Sequence, residues 1–311
     1  PYTSSFILYH SPFIIPYIRF MESSMQGRRQ FLSDKSAQWL LLGLGALLLL
    51  LHHLLGWLGP FGYDDLQYAL HAKALLAGQW DWTDQFAHRF AVLIPMAVSM
   101  ALFGTGDLAM SLPALLASLA LIWLVLDILR PQGWFAMAMG LLLVFGAKWM
   151  LFYSDKAMPD LWVALGLLGA FHQLHKQRFA KAGKANASAL VFALWLTLAF
   201  LAKGTVLLFI PILLGVFISD VFQKRQLRFW RWFGLWFGIL ALVYLLTMQW
   251  IAGNALIRFE ALASNSYLNA CSYDQQPIKF LYRRVTIGWL EIAWSSVLLT
   301  AALALLPMLA G

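Results

Sequence analysis

Long apolar runs, each closed by a short polar or charged stretch, repeat along most of this chain. Runs of roughly 20 apolar residues predict membrane-crossing helices, because a helix pairs every backbone polar group internally. About eight spans are expected: Trp39–Leu58, Leu108–Leu126, Trp134–Phe152, Leu161–Leu174, Leu190–Ala202, Val206–Val221, Trp232–Trp250 and Trp289–Leu306. The expected fold class is therefore all-α, a polytopic membrane helical bundle. From Leu66 to Arg89 the pattern is mixed polar and aromatic, which predicts one or two amphipathic juxtamembrane helices lying at the interface. Phe90–Phe103 is apolar but short, below the roughly 17 residues a span needs.

Charge decides how that short run is treated. If Phe90–Phe103 does not span, the basic stretches around Lys176–Lys184 and Lys224–Arg231 fall on the same side as Arg28, Arg29 and Lys35. Short basic loops mark the cytoplasmic side, so Phe90–Phe103 is expected to be re-entrant or juxtamembrane and the N-terminus cytoplasmic. The same parity puts Asp64, Asp65, Asp160 and Lys203 together on the outer side. Ile251–Val285 is then a long outer loop.

Composition agrees. Hydrophobic residues make up 61% and charged residues 12% of the 311 residues, against about 25% charged in soluble domains. The formal net charge of +8 sits in loops between apolar runs, which suits anionic lipid and topology rather than nucleic acid. The single Cys271 excludes an intramolecular disulfide and a cysteine metal cage. Residues 1–36 are expected to form an N-terminal cytoplasmic segment. Its first 20 residues, ahead of Met21 and Met25, are set aside as upstream sequence. Residues 37–311 are expected to form one transmembrane domain that stops short at its C-terminal side.

The candidate chemistry gathers at the outer ends of the spans. Asp64 and Asp65 follow the first span; they either cap the next helix as solvated charge or act as a base or metal ligand. Asp160, after Pro159, belongs in a helix first turn, where it complements the dipole or joins the first acidic pair. Lys203 before Gly204 either snorkels or holds a phosphate. His88 with Arg89 is a second candidate anion contact, and Arg258 with Arg283 and Arg284 a third. His52 and His53 are taken as packed helix residues. No metal-spaced His/Cys cluster, Walker loop or GxGxxG is found, so no metal ligands are assigned, no cofactor is implied and a divalent metal has no support.

The ordered set of short motifs resembles the membrane-embedded type C glycosyltransferases, within them the protein O-mannosyltransferase and aminoarabinose transferase superfamily. The matches are Asp64-Asp65-Leu66-Gln67-Tyr68-Ala69, Gly78-Gln79-Trp80, Leu102-Phe103-Gly104, Met158-Pro159-Asp160, Lys203-Gly204 and Arg258-Phe259. The resemblance implies inverting transfer of a sugar from a polyprenyl-phosphate donor on the periplasmic face of a bacterial inner membrane. It implies Asp64 as base or acceptor-orienting group, Asp160 in support and Asp65 beside them, with Lys203, Arg89, His88 and Arg258 toward the donor phosphate. Partners would be the lipid-linked sugar, membrane lipids and a lipid, glycan or protein acceptor, with no nucleic acid. The chain departs from the pattern in having Asp65 for Glu, His88-Arg89 for Glu-Lys, and no His before Arg258-Phe259. A polyprenyl-linked glycan ligase or polymerase, or a transporter or flippase, is the alternative. A transporter needs polar residues at mid-membrane, whereas these gather at the outer ends.

Overall fold

A computed structural model of the chain describes residues 34–57, 59–60, 62–179 and 185–264. The described residues are helical, with no strand among them. In chain order the α-helices are α1 (Asp34–Gly56), α2 (Gly62–Leu76), α3 (Phe90–Phe103), α4 (Asp107–Leu129), α5 (Trp134–Gly146), α6 (Lys148–Tyr153), α7 (Pro159–Phe179), α8 (Ala185–Ala202), α9 (Ile210–Phe222), α10 (Leu227–Ala252) and α11 (Ile257–Ser264). Short 3-10 turns occupy Gln85–His88, Arg130–Gln132 and Gly204–Phe209.

Five helical stretches among the described residues are long and apolar enough to cross a membrane: Asp34–Gly56, Asp107–Gln132, Ala185–Ala202, Gly204–Phe222 and Leu227–Ala252. Their outer surfaces are apolar. Leu55 is 85% and Trp250 86% exposed in the protein alone, surface that suits lipid rather than water. These helices fit a multi-pass membrane protein. The expected span Trp289–Leu306, the segment 1–33 and both Arg283 and Arg284 lie outside the described residues.

One expected span is corrected. Trp134–Phe152 is two helices, α5 and α6, broken at Ala147, whose backbone is extended (φ −78°, ψ 102°). The 13 residues of α5 reach about 20 Å, short of a hydrocarbon core of roughly 30 Å. Gly146, a poor helix residue, ends α5 there. Phe90–Phe103 forms a 14-residue helix with the expected bounds, stopped by Gly104 at φ +82°. Val206–Val221 begins as a 3-10 turn, and α9 starts where Pro211 at its first positions needs no donor partner.

The core is a set of helix seams. α4 packs against α1, α3, α5 and α7, and α8 packs between α7 and α10. Small residues set the α7–α8 distance. A Cβ on Gly166 would stand 2.7 Å from the Trp195 carbonyl oxygen and 2.8 Å from the Ala199 Cβ. Apolar collapse does not drive helices together in lipid, so such close backbone approach carries much of the association. Gly166→Val is expected to cost about 1–3 kcal/mol, read as a lower thermal midpoint in detergent. An unchanged midpoint would mean the seam can widen freely.

Polar networks tie the two ends of this bundle. At the end where α7 finishes, Asp127 accepts from His172 Nε2 at 2.8 Å and Lys176 Nζ at 2.6 Å, and Arg178 and Trp230 both donate to Asp220. Asp160 lies at the opposite end of α7.

Candidate functional site: a cationic cavity beside an acidic helix start

Asp160 follows Pro159, which opens α7, so its carboxylate belongs to the first helical turn. Lys203 stands between α8 and the 3-10 turn after it, in extended backbone. Its Nζ donates to Asp160 Oδ1 at 2.9 Å. The two side chains are 30% and 44% exposed. An open pair like this adds little to stability, so its charges stay available to a ligand.

Lys203 lines a cavity of about 150 Å³ together with Gln85, Arg89, Gly204, Thr205, Arg258 and Leu262. Three cations thus converge from three separate places in the chain. Arg89 enters from the end of the 3-10 turn, its guanidinium 4.8 Å from the centre of the Phe86 ring and 5.4 Å from that of Tyr68. Arg258 comes from α11, which packs on the same 3-10 turn. Arg258 is 8% exposed. Its Nη2 donates to the Phe200 carbonyl at 2.6 Å and its guanidinium covers the Phe200 ring at 4.2 Å. Its remaining side-chain partner is the Tyr244 hydroxyl. A fork-shaped cation that lines one cavity with two other cations suits a multi-oxygen anion such as phosphate. An added Cβ at Gly204 would meet nothing within 4 Å, so protein packing does not require glycine there.

A separate apolar groove of about 320 Å³ is linked to this cavity through the contact of Arg258 with Phe200. Phe200, Leu207, Phe237, Tyr244 and Phe259 are among its lining residues. Phe200 is the residue that holds Arg258, and Phe259 follows it in the chain. The cation cavity and the groove together match an amphiphile with a phosphate head and a hydrocarbon body.

The first acidic pair is split by burial. Asp64 and Asp65 both lie in the first turn of α2. Asp65 is 1% exposed, and Asp64 is half-buried at the edge of the packed face. That face, through Tyr68 and Ala72, shares one apolar cluster with Phe86, Ala157 and Met158. Ala157 and Met158 immediately precede the start of α7, so the helices carrying Asp64 and Asp160 begin from one packed unit. Tyr68 also lies under Arg89, which connects α2 to the cation cavity.

His88 does not line the cavity and is corrected as a phosphate contact. It is buried, and its Nε2 donates to the Trp82 carbonyl at 2.8 Å, so the ring holds the loop that delivers Arg89. Burial foremost, and then the charge of Arg258, push its pKa below the ordinary value for histidine. The unfolded chain protonates His88 near pH 6.5, the folded one only at lower pH. Between those values the unfolded state binds more protons, so this stability is present above about pH 6.5 and is lost as pH falls below it. His88→Gln should therefore flatten the fall in thermal midpoint between about pH 7.5 and 5.5. An unchanged slope would show that His88 is not the titrating group.

Several site residues escaped the sequence. Gln85 and Thr205 line the cavity, yet nothing in their local pattern marks them. His53, expected to be merely packed, has its Nδ1 3.3 Å from Asp155 Oδ2, and Lys156 Nζ is 3.1 Å from the other oxygen. Lys156 also lies 3.8 Å from the centre of the Trp57 ring. All three charged or polar groups are buried, and they lock the loop before Asp160 to the end of α1. The pair Asp155-Lys156, set in an apolar stretch, was the available signal. Among the described residues, no group of three or more His, Cys, Asp or Glu is arranged to hold a metal ion. Comparison with family models, with curated proteins and with solved structures found no match.

Proposed function

We propose that the chain is an inverting glycosyltransferase of the type C kind, moving a sugar from a polyprenyl-phosphate donor to an acceptor hydroxyl at the periplasmic face of a bacterial inner membrane. The observation that carries this is the convergence of Arg89, Lys203 and Arg258 on one small cavity, with Arg258 packed on Phe200, which lines an apolar groove. A donor of this class has a phosphate for the cavity and an isoprenoid chain for the groove. The membrane topology belongs to the same proposal: about eight spans, a cytoplasmic N-terminus and α3 as a juxtamembrane helix.

In the reaction, the acceptor hydroxyl attacks the anomeric carbon from the face opposite the phosphate. The new C–O bond forms as the bond from that carbon to the phosphate oxygen breaks, and the electron pair leaves with the phosphate. Asp64 takes the hydroxyl proton. A lipid phosphate is a weak base, so cations stabilise its departure better than a proton donor does. Lys203 and the two arginines supply that charge. Asp160 fixes the Lys203 ammonium by the observed ion pair, and the acceptor is a lipid, a glycan or a protein.

The donor half is tested by binding. Lys203→Met should weaken polyprenyl phosphate binding about tenfold, the loss of one exposed charge-assisted bond, measured by native mass spectrometry from nanodiscs. Equal binding by both proteins would remove the cavity from the mechanism.

A further inference from the structure

A second concave site lies along α2 and shares no lining residue with the cation cavity. It is an open groove of about 480 Å³, lined by Gln67, Leu70, His71, Ala74, Gln79, Trp80 and Asp81. This is within the roughly 300–1,000 Å³ range of small-ligand sites. Resting on Asp64 as the base, we infer that this groove is the acceptor subsite and that it takes a neutral sugar residue of a glycan or glycolipid.

The local backbone builds it. α2 ends at Leu76, and Gly78, at φ +69°, turns the chain back on itself. The Gln79 amide donates to the Ala74 carbonyl at 2.8 Å, which lays residues 79–81 along the helix as a second wall. The polar groups there are held in place. Asp81 accepts from the Thr83 amide at 2.9 Å and the Thr83 hydroxyl at 2.6 Å. His71 Nε2 is 3.1 Å from Asp84 Oδ2. The Trp80 ring stacks on Phe90 at 5.8 Å.

The lining chemistry selects the ligand class. Two carboxamides each donate and accept, as sugar hydroxyls do. A carboxylate and an imidazole add fixed partners, and an indole offers an apolar wall to a sugar's C–H face. No Lys or Arg lines the groove. Hydrogen bonds from Thr83 hold the Asp81 carboxyl below its usual range, so the wall is anionic and disfavours a phosphorylated or sulfated ligand.

Position connects the groove to the reaction. Asp64, Gln67, His71 and Ala74 are spaced i, i+3, i+7 and i+10 along α2, which puts them on one helical face. Gln67 is one turn, about 4.5 Å, along the axis from Asp64, and Ala74 about 15 Å. A sugar seated by Gln67 and Gln79 brings its neighbouring hydroxyl toward the Asp64 end. The tripeptide Gly78-Gln79-Trp80, a motif with no role in donor binding, supplies the turn and two of the lining residues.

Saturation-transfer NMR on the chain in lipid nanodiscs tests this, with methyl glucoside, methyl mannoside, methyl galactoside and N-acetylglucosamine as neutral probes and glucose 6-phosphate as the charged one. At least one neutral probe should receive saturation above empty nanodiscs. The double variant Gln67→Ala, Gln79→Ala should reduce it about fivefold, the loss of one or two hydrogen bonds, while polyprenyl phosphate binding is kept. Both glutamines lie outside the buried core, so the variant retains the fold. No transfer to any neutral probe, transfer unchanged in the double variant, or stronger transfer to glucose 6-phosphate would each overturn the inference. If neutral probes bind but wild-type protein fails to bind polyprenyl phosphate, the groove stands as a sugar site and the transferase proposal fails instead.

Discussion

Replacing Asp64 by Asn is expected to slow sugar transfer by about 10²–10⁴-fold, the contribution of a positioned general base. The amide keeps the shape of the side chain and its place in the first turn of α2 but takes no proton. Packing of α2 is carried by Tyr68 and Ala72, and Asp64 is only half-buried. The thermal midpoint and the affinity for polyprenyl phosphate should therefore stay near those of the wild type. Asp64→Glu, which restores a carboxylate one methylene further out, should recover part of the rate. The same substitution at Asp65, 1% exposed, should act mainly on the folded yield. Equal rates for Asp64→Asn and wild type at equal expression would assign the proton to another group.

Arg258→Ala has the second largest expected effect. Arg258 is buried, gives one nitrogen to the Phe200 carbonyl, neighbours the Tyr244 hydroxyl and lines the cavity with Arg89 and Lys203. Two bonds from one guanidinium to a phosphate, each about 1.5–3 kcal/mol, correspond to a loss in kcat/KM of roughly 10²–10⁴-fold for the lipid donor. Most of this should appear in KM if the phosphate is held equally before and during transfer, and in kcat if Arg258 meets only the charge that develops on leaving. Arg258→Lys keeps the charge but not the fork, so it should fall between the two. Lys203, 30% exposed and already engaged with Asp160, should matter less than Arg258. A larger effect at Lys203 would put the phosphate at the rim of the cavity.

Features marked by local composition were legible in the sequence. Phe90–Phe103 has Arg89 at one end and Gly104 at the other, and both bounds match the helix. Lys203 and Asp160 were grouped by charge parity alone, and the fold holds them 2.9 Å apart. The break at Ala147 was not legible, because hydropathy reports side chains and the break lies in backbone angles. Arg258 could be named as a cation, but its meeting with Arg89 depends on α11 packing on a turn about 170 residues earlier. His88 and Arg89 were read as a pair, yet adjacent residues in a tight turn point different ways, and only Arg89 reaches the cavity. His53 was read as packed because its partner, Asp155, is 102 residues away. Burial of charge in a membrane protein depends on partners that only the tertiary fold supplies.

The central claim is that a lipid-phosphate sugar is consumed at the Lys203–Arg258 cavity. Its most direct test is the release of free polyprenyl phosphate by the reconstituted protein, with the lipid-linked sugars and envelope glycans of its own source membrane supplied as donor and acceptor pools. On that claim wild-type protein discharges at least one lipid-linked sugar, while Asp64→Asn and Arg258→Ala slow the discharge by about 10²–10⁴-fold. No discharge by the wild type, or equal discharge by all three proteins, would contradict it.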